Sequence, residues 1–279
     1  MRWGKWILLG VVAIIIVVAG GVFIPSEWMI RQSHDVAEEQ LTADRSEAGV
    51  REGARLAHIL SCLECHGPDG QGRQLMDLPL LAILRAPGLG RIVETESDAR
   101  LARTIRHGVD RNGATLWVMP ARTTLADDDT AHLVGFLRTL PATPHDVSQK
   151  VWLGPLARLQ MLQGRLEPSV QIRIAAPAQR PADSGAYFVG LVCETCHDLY
   201  RARLAGRGEQ APPLAYMAEA YDEASFRRLL RTGRGIADRD LGAMRQVAQS
   251  ALTSLSDDEI VAIKAYLARK AAESPPASH

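Results

Sequence analysis

The sequence predicts an all-α protein in which an N-terminal transmembrane helix is followed by two small domains in tandem. Aromatic residues make up only 5% of the 279 residues, which is low for a sheet-rich protein, whereas the abundant Ala, Leu and Arg favour helices. An apolar run near the N-terminus and an internal repeat divide the chain. We expect an anchor (1–25), a tether (26–51), a first domain (52–141), a connector (142–183), a second domain (184–270) and a tail (271–279).

The charge of the chain argues against one broad class of function. Charged residues make up 23% of the sequence and the net charge is zero. Proteins that bind nucleic acid usually carry a basic excess, so we expect no nucleic-acid partner. The length accommodates a membrane segment and about two small domains.

The apolar run predicts a membrane anchor. Trp6 to Ile24 are nineteen consecutive uncharged residues, about the length of a helix that crosses a bilayer. A cleaved signal peptide is the alternative, but the run is longer than the apolar part of a usual signal and no clear A-x-A cleavage site follows it. We therefore expect a retained anchor. Tryptophans lie at or near its ends, as at a membrane interface: Trp3, Trp6 and Trp28.

The orientation of the anchor follows from its basic residues. Arg2 and Lys5 lie on the N-terminal side of the run, and the positive-inside rule keeps this side in the cytoplasm. The chain after about Pro25 then lies across the membrane.

All four cysteines belong to two copies of the pattern C-x-x-C-H, at 62–66 and 193–197. The pattern predicts covalent attachment of a c-type haem, in which the thiols bond to the porphyrin and the histidine ligates the iron from one face. In bacteria this attachment places both domains on the periplasmic side of the cytoplasmic (inner) membrane. We expect two covalently bound haem c groups, attached through Cys62, Cys65, Cys193 and Cys196, with His66 and His197 as iron ligands.

Three other interpretations of the cysteines fit less well. A zinc site made of two C-x-x-C halves usually has them about 15–20 residues apart, whereas these copies are 131 residues apart. A thioredoxin-like pair belongs in a βαβ pattern, and neither copy has one. Two disulfides would leave the two identically placed histidines unexplained.

A methionine in a late loop is the predicted second iron ligand of the first domain. A thioether is a soft, neutral ligand that favours reduced iron. Met119 lies 53 residues after His66, in a loop before the closing helix. Met76 follows His66 by only ten residues, which makes the opposite haem face hard to reach. We prefer Met119, although any methionine can instead fill a core.

An internal repeat divides the chain into two folding units. Phe226–Gly233 matches Leu101–Gly108 at an offset of 125 residues. The closing helices, which begin near Asp127 and Asp257, match at an offset of 130. Repetition of several segments in order indicates that each half folds as one unit.

The repeat also supplies the second methionine. The offset of 125 takes Met119 to Met244. Met217 is the competitor, but its neighbourhood matches no part of the first ligand loop. One departure is that Pro120 follows Met119, whereas Arg245 follows Met244. We expect Met119 and Met244 to ligate the two irons.

Other residues are expected to have structural roles. His34 in the tether is expected to be a solvated surface residue, and His107 to make a structural hydrogen bond. The middle of the connector is expected to be a short helix that packs against one or both domains, with Trp152 as its anchor and Met161 in the packing.

Several segments besides the two motifs carry a family resemblance: Gly67–Gly70, Ile105–Val109, Met119–Pro120, the acidic starts of the closing helices and Gly154–Arg158. With them the sequence resembles class I c-type cytochromes, in particular membrane-anchored dihaem cytochromes c and the cytochrome subunits of bacterial periplasmic dehydrogenases. The resemblance implies two class I cytochrome c domains in tandem. It also implies that a proline carbonyl accepts a hydrogen bond from each haem histidine, with Pro87 as a loose match in the first domain and Pro212 or Pro213 in the second.

The predicted function is electron transfer, not catalysis. Each iron has both ligands supplied by the protein, which leaves no open position for a substrate. We expect the chain to relay single electrons between respiratory-chain or dehydrogenase partners: a quinol-oxidising complex, a periplasmic dehydrogenase or a terminal oxidase. The alternatives are a peroxidase-like haem enzyme that uses the second haem, and a fixed electron-wiring subunit of a larger respiratory complex.

Overall fold

A computed structural model describes residues 2–142, 147–172, 176–204 and 209–273, and this part of the chain is mostly helical. The helices are α1 (Arg2–Ile30), α2 (Glu47–Ile59), α3 (Cys62–His66), α4 (Leu89–Thr95), α5 (Asp98–His107), α6 (Asp127–Leu137), α7 (Pro155–Leu162), α8 (Ser184–Val192), α9 (Leu214–Glu219), α10 (Glu223–Thr232), α11 (Ala243–Ser250) and α12 (Asp257–Glu273). The strands are β1 (Arg73–Leu78), β2 (Ala82–Ala86), β3 (Lys150–Leu153), β4 (Arg203–Leu204) and β5 (Gln210–Ala211). Of the predicted tail, residues 274–279 lie outside the described residues.

The prediction of a purely helical fold is incomplete, because two small sheets are present. Strands β1, β2 and β3 form an antiparallel sheet in that order, and β4 pairs with β5. Each hairpin follows a C-x-x-C-H motif and leads into the next helix. These strands are two to six residues long, too short to give a clear alternation of polar and apolar residues.

Helix α1 is longer than the apolar run that predicts it. It continues through Pro25 to Ile30. The Ser26 hydroxyl donates to the Val22 carbonyl at 2.6 Å. Within the described residues, Trp3–Ile30 is the helix long and apolar enough to cross a membrane, a test that a signal sequence also passes.

The segment after α1 runs in extended form along the first half. The amide of His34 donates to the Gly113 carbonyl at 2.8 Å, and its Nε2 lies 3.1 Å from the Thr115 hydroxyl. Further on, the amide of Ala43 donates to Asp98 at 2.9 Å. The expectation that His34 is solvated is wrong, because these contacts hold it half-buried.

One close helix contact recurs in both halves. Helix α2 packs against α6, and α8 packs against α12. At Gly53 an added Cβ would overlap the carbonyl oxygen of His132, and at Gly185 one would overlap that of Ala262. Glycine is therefore required at both crossings, about two turns before each cysteine motif.

The two halves share one hydrophobic core. Leu133 of α6 and Phe188 of α8 belong to the same buried cluster. Tyr187 joins the halves, since its hydroxyl donates to Asp129 at 2.7 Å and accepts from the amide of Ala126 at 3.0 Å. Burial raises the pKa of Tyr187 above its usual range, so the hydroxyl keeps its proton and donates.

An ion-pair network reinforces this junction. Arg55 contacts Glu52 at 2.7 Å and Glu259 at 2.8 Å. Arg180 contacts Glu52 at 2.7 Å and Asp129 at 2.6 Å. These residues lie on α2, α6, α12 and the chain before α8, so the network connects both halves and the connector. Burial raises the pKa of Glu52, but the hydrogen bonds from Arg55 and Arg180 outweigh it and hold the pKa at about 2.

Replacing Glu52 with Gln is expected to lower the free energy of unfolding by about 1–3 kcal/mol at neutral pH, since hydrogen bonds to two charged partners are lost. The pKa of Glu52 is depressed from 4.5 to about 2. Its contribution is therefore complete above pH 4.5 and is lost as the pH falls towards 2. Guanidinium unfolding as a function of pH measures the difference. The matched control is Glu47→Gln on the same helix, where the exposed pair with Arg51 contributes little; an equal effect from both substitutions contradicts the network.

The connector packs against the first half, and its middle contains a strand followed by a helix. Strand β3 pairs with β2, which places Trp152 opposite Ile83. The prediction of a helix with Trp152 as its anchor is wrong at this residue, because Trp152 lies in β3 and is 36% exposed, and the helix begins only at Pro155. Met161 is 2% exposed and packs in a second cluster with Trp117, which confirms its packing role.

Candidate haem sites

The first cysteine motif forms a short helix at the end of α2. Ser61 adopts a left-handed conformation (φ 58°) and so separates α2 from α3. Cys62 contacts the main core, whereas Cys65 is exposed. The Cys62 residue as a whole is half-buried, but its thiol is surrounded by protein, and burial raises the pKa of this thiol to about 11. Both thiols are free of a disulfide and are therefore available for another covalent bond.

The second motif follows α8 in the same way. A 3-10 turn spans Cys193–Thr195, and the amide of His197 donates to the Cys193 carbonyl at 2.9 Å. Burial raises the pKa of Cys193 to about 12. Like the first pair, Cys193 and Cys196 form no disulfide.

Both motif histidines make the same hydrogen bond. Nδ1 of His66 lies 2.9 Å from the carbonyl oxygen of Pro87, and Nδ1 of His197 lies 2.9 Å from that of Pro212. A carbonyl only accepts, so Nδ1 carries the proton and Nε2 presents its lone pair as a metal ligand. This geometry fits the iron ligation that the motif predicts, and it shows that Pro212, not Pro213, is the acceptor in the second half.

The hairpins explain how the prolines reach the histidines. Pro87 directly follows β2, and Pro212 directly follows β5. In the first half the Gly72 amide donates to the His66 carbonyl at 2.6 Å. The chain then leaves along β1 and returns along β2. Each hairpin therefore brings a distant carbonyl back to the histidine of the motif that precedes it.

The methionines separate into two groups. Met119 and Met244 are half-buried and contact the main core, which Cys62 and Cys193 also contact. Met76 lies in β1 and contacts the second cluster instead. The prediction that Met119 and Met244 are the second iron ligands is therefore unchanged.

The two predicted ligands differ in their local structure. Met119 lies in an irregular loop, as expected. Met244 lies in the first turn of α11, a helix preceded by Gly242 in a positive-φ conformation (56°). Met217, the rival in this half, also contacts the main core from α9.

Arg122 joins the two motifs, and sequence reasoning missed it. Its guanidinium donates to the Leu60 carbonyl at 3.0 Å, to the Leu191 carbonyl at 2.8 Å and to the Thr195 hydroxyl at 3.3 Å. Leu60 precedes the first motif, and the other two lie beside or within the second. Burial lowers the pKa of Arg122, but an arginine stays charged at neutral pH. The repeat gave no signal for this residue, because it aligns Arg122 with Val247 in a segment where few other positions match.

A cavity of about 280 Å³ lies next to Arg122, between the methionine loop of the first half and the second motif. Polar side chains from both halves line it: Arg122, Thr124, Gln171, Thr195 and Arg203.

One arginine in each half makes an equivalent ion pair with the closing helix of that half. Arg106 contacts Asp127 at 2.6 Å, and Arg231 contacts Asp257 at 2.8 Å. Each ties the end of one helix to the start of the closing helix. Next to Arg106, Nδ1 of His107 lies 2.7 Å from the Gln171 carbonyl, which confirms the structural role expected for His107.

Comparison with known proteins identifies the class of the first half. Residues 48–137, which hold α2 to α6 and the first motif, match the family described as "Cytochrome C oxidase, cbb3-type, subunit III". This half therefore contains a cytochrome c domain, a class that carries covalently bound haem c. The chain is also 26% identical over 269 residues to the gluconate 2-dehydrogenase cytochrome c subunit of Pantoea cypripedii. That match covers 80% of this chain and 59% of the relative, so the chain spans about three-fifths of the relative's length.

Proposed function

We propose that the protein is a membrane-anchored cytochrome c with two haems, which transfers single electrons on the periplasmic side of the inner membrane. The observation that carries the proposal is the repeated site: two C-x-x-C-H motifs whose histidines both donate Nδ1–H to a proline carbonyl. That hydrogen bond fixes the ring and makes Nε2 a more basic ligand.

The chain supplies a complete set of groups for each haem. In the first half, Cys62 and Cys65 would bind the porphyrin, with His66 and Met119 on the iron. The second half supplies the equivalent groups: Cys193, Cys196, His197 and Met244. When bound, haem c supplies one-electron chemistry between ferric and ferrous iron. Ligands on both faces leave no open position, which favours an electron-transfer subunit over a catalytic one.

The relative suggests the kind of partner. It is named as the cytochrome c subunit of a dehydrogenase, so a periplasmic dehydrogenase is the favoured electron donor. A quinol-oxidising complex is the alternative donor, and a terminal oxidase is a possible acceptor. The anchor keeps the protein near membrane-bound partners and so raises their effective concentration.

Paired cysteine variants test the number of haems. We expect two haems per chain in the full-length protein, and one in each of the double variants Cys62→Ala/Cys65→Ala and Cys193→Ala/Cys196→Ala. The measurement is haem content from the alkaline pyridine spectrum, divided by protein concentration. If the wild type contains one haem per chain and the Cys193→Ala/Cys196→Ala variant also contains one, the proposal of two sites is overturned.

The same preparations distinguish electron transfer from catalysis. Both haems are expected to be low-spin, and the oxidised protein to show the weak long-wavelength band of iron–thioether ligation. Ready cyanide binding by a high-spin ferric haem would instead support a peroxidase-like enzyme.

A further inference from the structure

An exposed row of leucines lies beside the end of α1. Helix α7 buries Ala157, Arg158 and Met161, yet its opposite face is also apolar. Leu156, Leu159 and Leu162 are 52%, 43% and 39% exposed. We call these three leucines, together with Leu80, the α7 patch.

The fourth member of the patch, Leu80, lies next to α7. The amide of Leu156 donates to the Leu80 carbonyl at 3.1 Å, and the Leu80 side chain is 69% exposed. Trp28, on α1, is 70% exposed. Large exposed apolar surfaces on otherwise soluble domains mark sites of protein or membrane contact.

Arg158 fixes the position of α7 against α1. Its buried guanidinium donates to the Ser26 hydroxyl at 2.9 Å and to the Glu27 carboxylate at 2.7 Å. It also lies 4.8 Å from the centre of the Phe23 ring, and its Nε donates to the Leu153 carbonyl at 2.8 Å. Helix α7 is therefore level with residues 23–27 of α1.

This level is the membrane–water boundary of the proposed anchor. The hydrocarbon core is about 30 Å thick and takes roughly 20 residues of helix. A span that begins near Trp6 thus ends near Ile24, one residue beyond Phe23. Trp28 lies one turn later, where exposed tryptophans favour the lipid headgroups.

We propose that the α7 patch lies in the headgroup region of the membrane and docks the first half on the lipid surface. The inference rests on the proposed anchor, because α7 is placed by its contacts with α1. A short helix with an apolar outer face, held at this boundary by its contacts with α1, buries that face among lipids. Lys150, the first residue of β3, and Arg165 after α7 are both exposed and add attraction to anionic headgroups.

Docking at the patch also orients the first haem site. The sheet that ends at the patch begins at Arg73, whose guanidinium donates to the Glu64 carbonyl inside the motif at 3.0 Å. The same sheet positions Pro87 on His66. A fixed sheet at the membrane surface therefore gives the first site a fixed tilt and height relative to membrane-bound partners.

Spin labels on the full-length protein test the proposal. Leu159→Cys and the control Val261→Cys, which is exposed on α12, are labelled separately in nanodiscs that contain anionic lipid. Spectra are taken on the reduced protein, where low-spin ferrous haem is diamagnetic. We expect the label at 159 to lose accessibility to a water-soluble nickel complex while it keeps accessibility to oxygen, and the label at 261 to stay accessible to nickel.

Each other outcome has a distinct meaning. Nickel accessibility at 159 equal to that at 261 overturns the proposal. Protection of 159 from both oxygen and nickel also overturns it, because it indicates contact with protein. If the chain does not enter nanodiscs at all, the anchor in the proposed function is refuted. If the chain enters the disc but the label at 159 is exposed to water, only the docking of the α7 patch is refuted and the anchor stands. Haem content of each labelled variant confirms that the added cysteine leaves attachment intact.

Discussion

Replacing Met119 with His is expected to lower the reduction potential of one haem and to leave the other unchanged. A thioether stabilises ferrous iron relative to ferric iron, and imidazole does so less. The shift should be a substantial part of the roughly 0.8 V range over which axial ligands set haem potentials. A spectroscopic redox titration measures both potentials, and the iron–thioether band should fall to half of its wild-type intensity.

The matched control in the first half is Met76→His. Met76 contacts the second cluster, so this change should leave both potentials and the band unaltered. In the second half, Met244→His is expected to lower the other potential, with Met217→His as its control. If the Met76 or Met217 variant lowers a potential and the Met119 or Met244 variant of the same half does not, the iron ligand of that half is Met76 or Met217 instead.

Replacing Arg122 with Gln is expected to lower the potentials of both haems together. The buried guanidinium contacts the chain beside both motifs, and a nearby cation favours the less positive, ferrous state. A unit charge roughly 10 Å from a redox centre contributes on the order of 1–2 kcal/mol at an effective dielectric constant of about 20. For a one-electron couple this is on the order of tens of millivolts.

Two further variants separate charge from structure at Arg122. Arg122→Lys keeps the charge but loses the forked geometry, so the potentials should stay near the wild-type values while thermal stability falls. Arg51→Gln removes an equal charge from an exposed position on α2 and should shift neither potential, because solvent screens it. A shift in only one haem on Arg122→Gln would show that this residue serves one site and not both.

Local chemistry explains which features the sequence could predict. The cysteine motifs are contiguous, so four cysteines and two histidines predict the attachment sites without any knowledge of the fold. The helix limits are also local: Ser97 caps α5 by accepting from the Arg100 amide at 3.1 Å, and Gly108 ends it in a left-handed conformation.

The errors lie where distant segments meet. Trp152 was expected in a helix, but pairing with β2 makes its segment a strand. His34 was expected in water, but the chain after α1 folds back onto residues 113–115. Neither partner is close in sequence, so no local pattern could predict these contacts.

The sequence by itself determined the two C-x-x-C-H motifs, the apolar N-terminal helix and the repeat of short segments, because each can be read without knowledge of the fold. Only the tertiary structure decided which carbonyl meets each histidine, since a hairpin must first bring Pro87 and Pro212 back. It likewise decided that Arg122 lies between the motifs and that Arg158 holds α7 against α1. A guanidinium can reach groups from several segments at once, and those groups come together only when the chain folds.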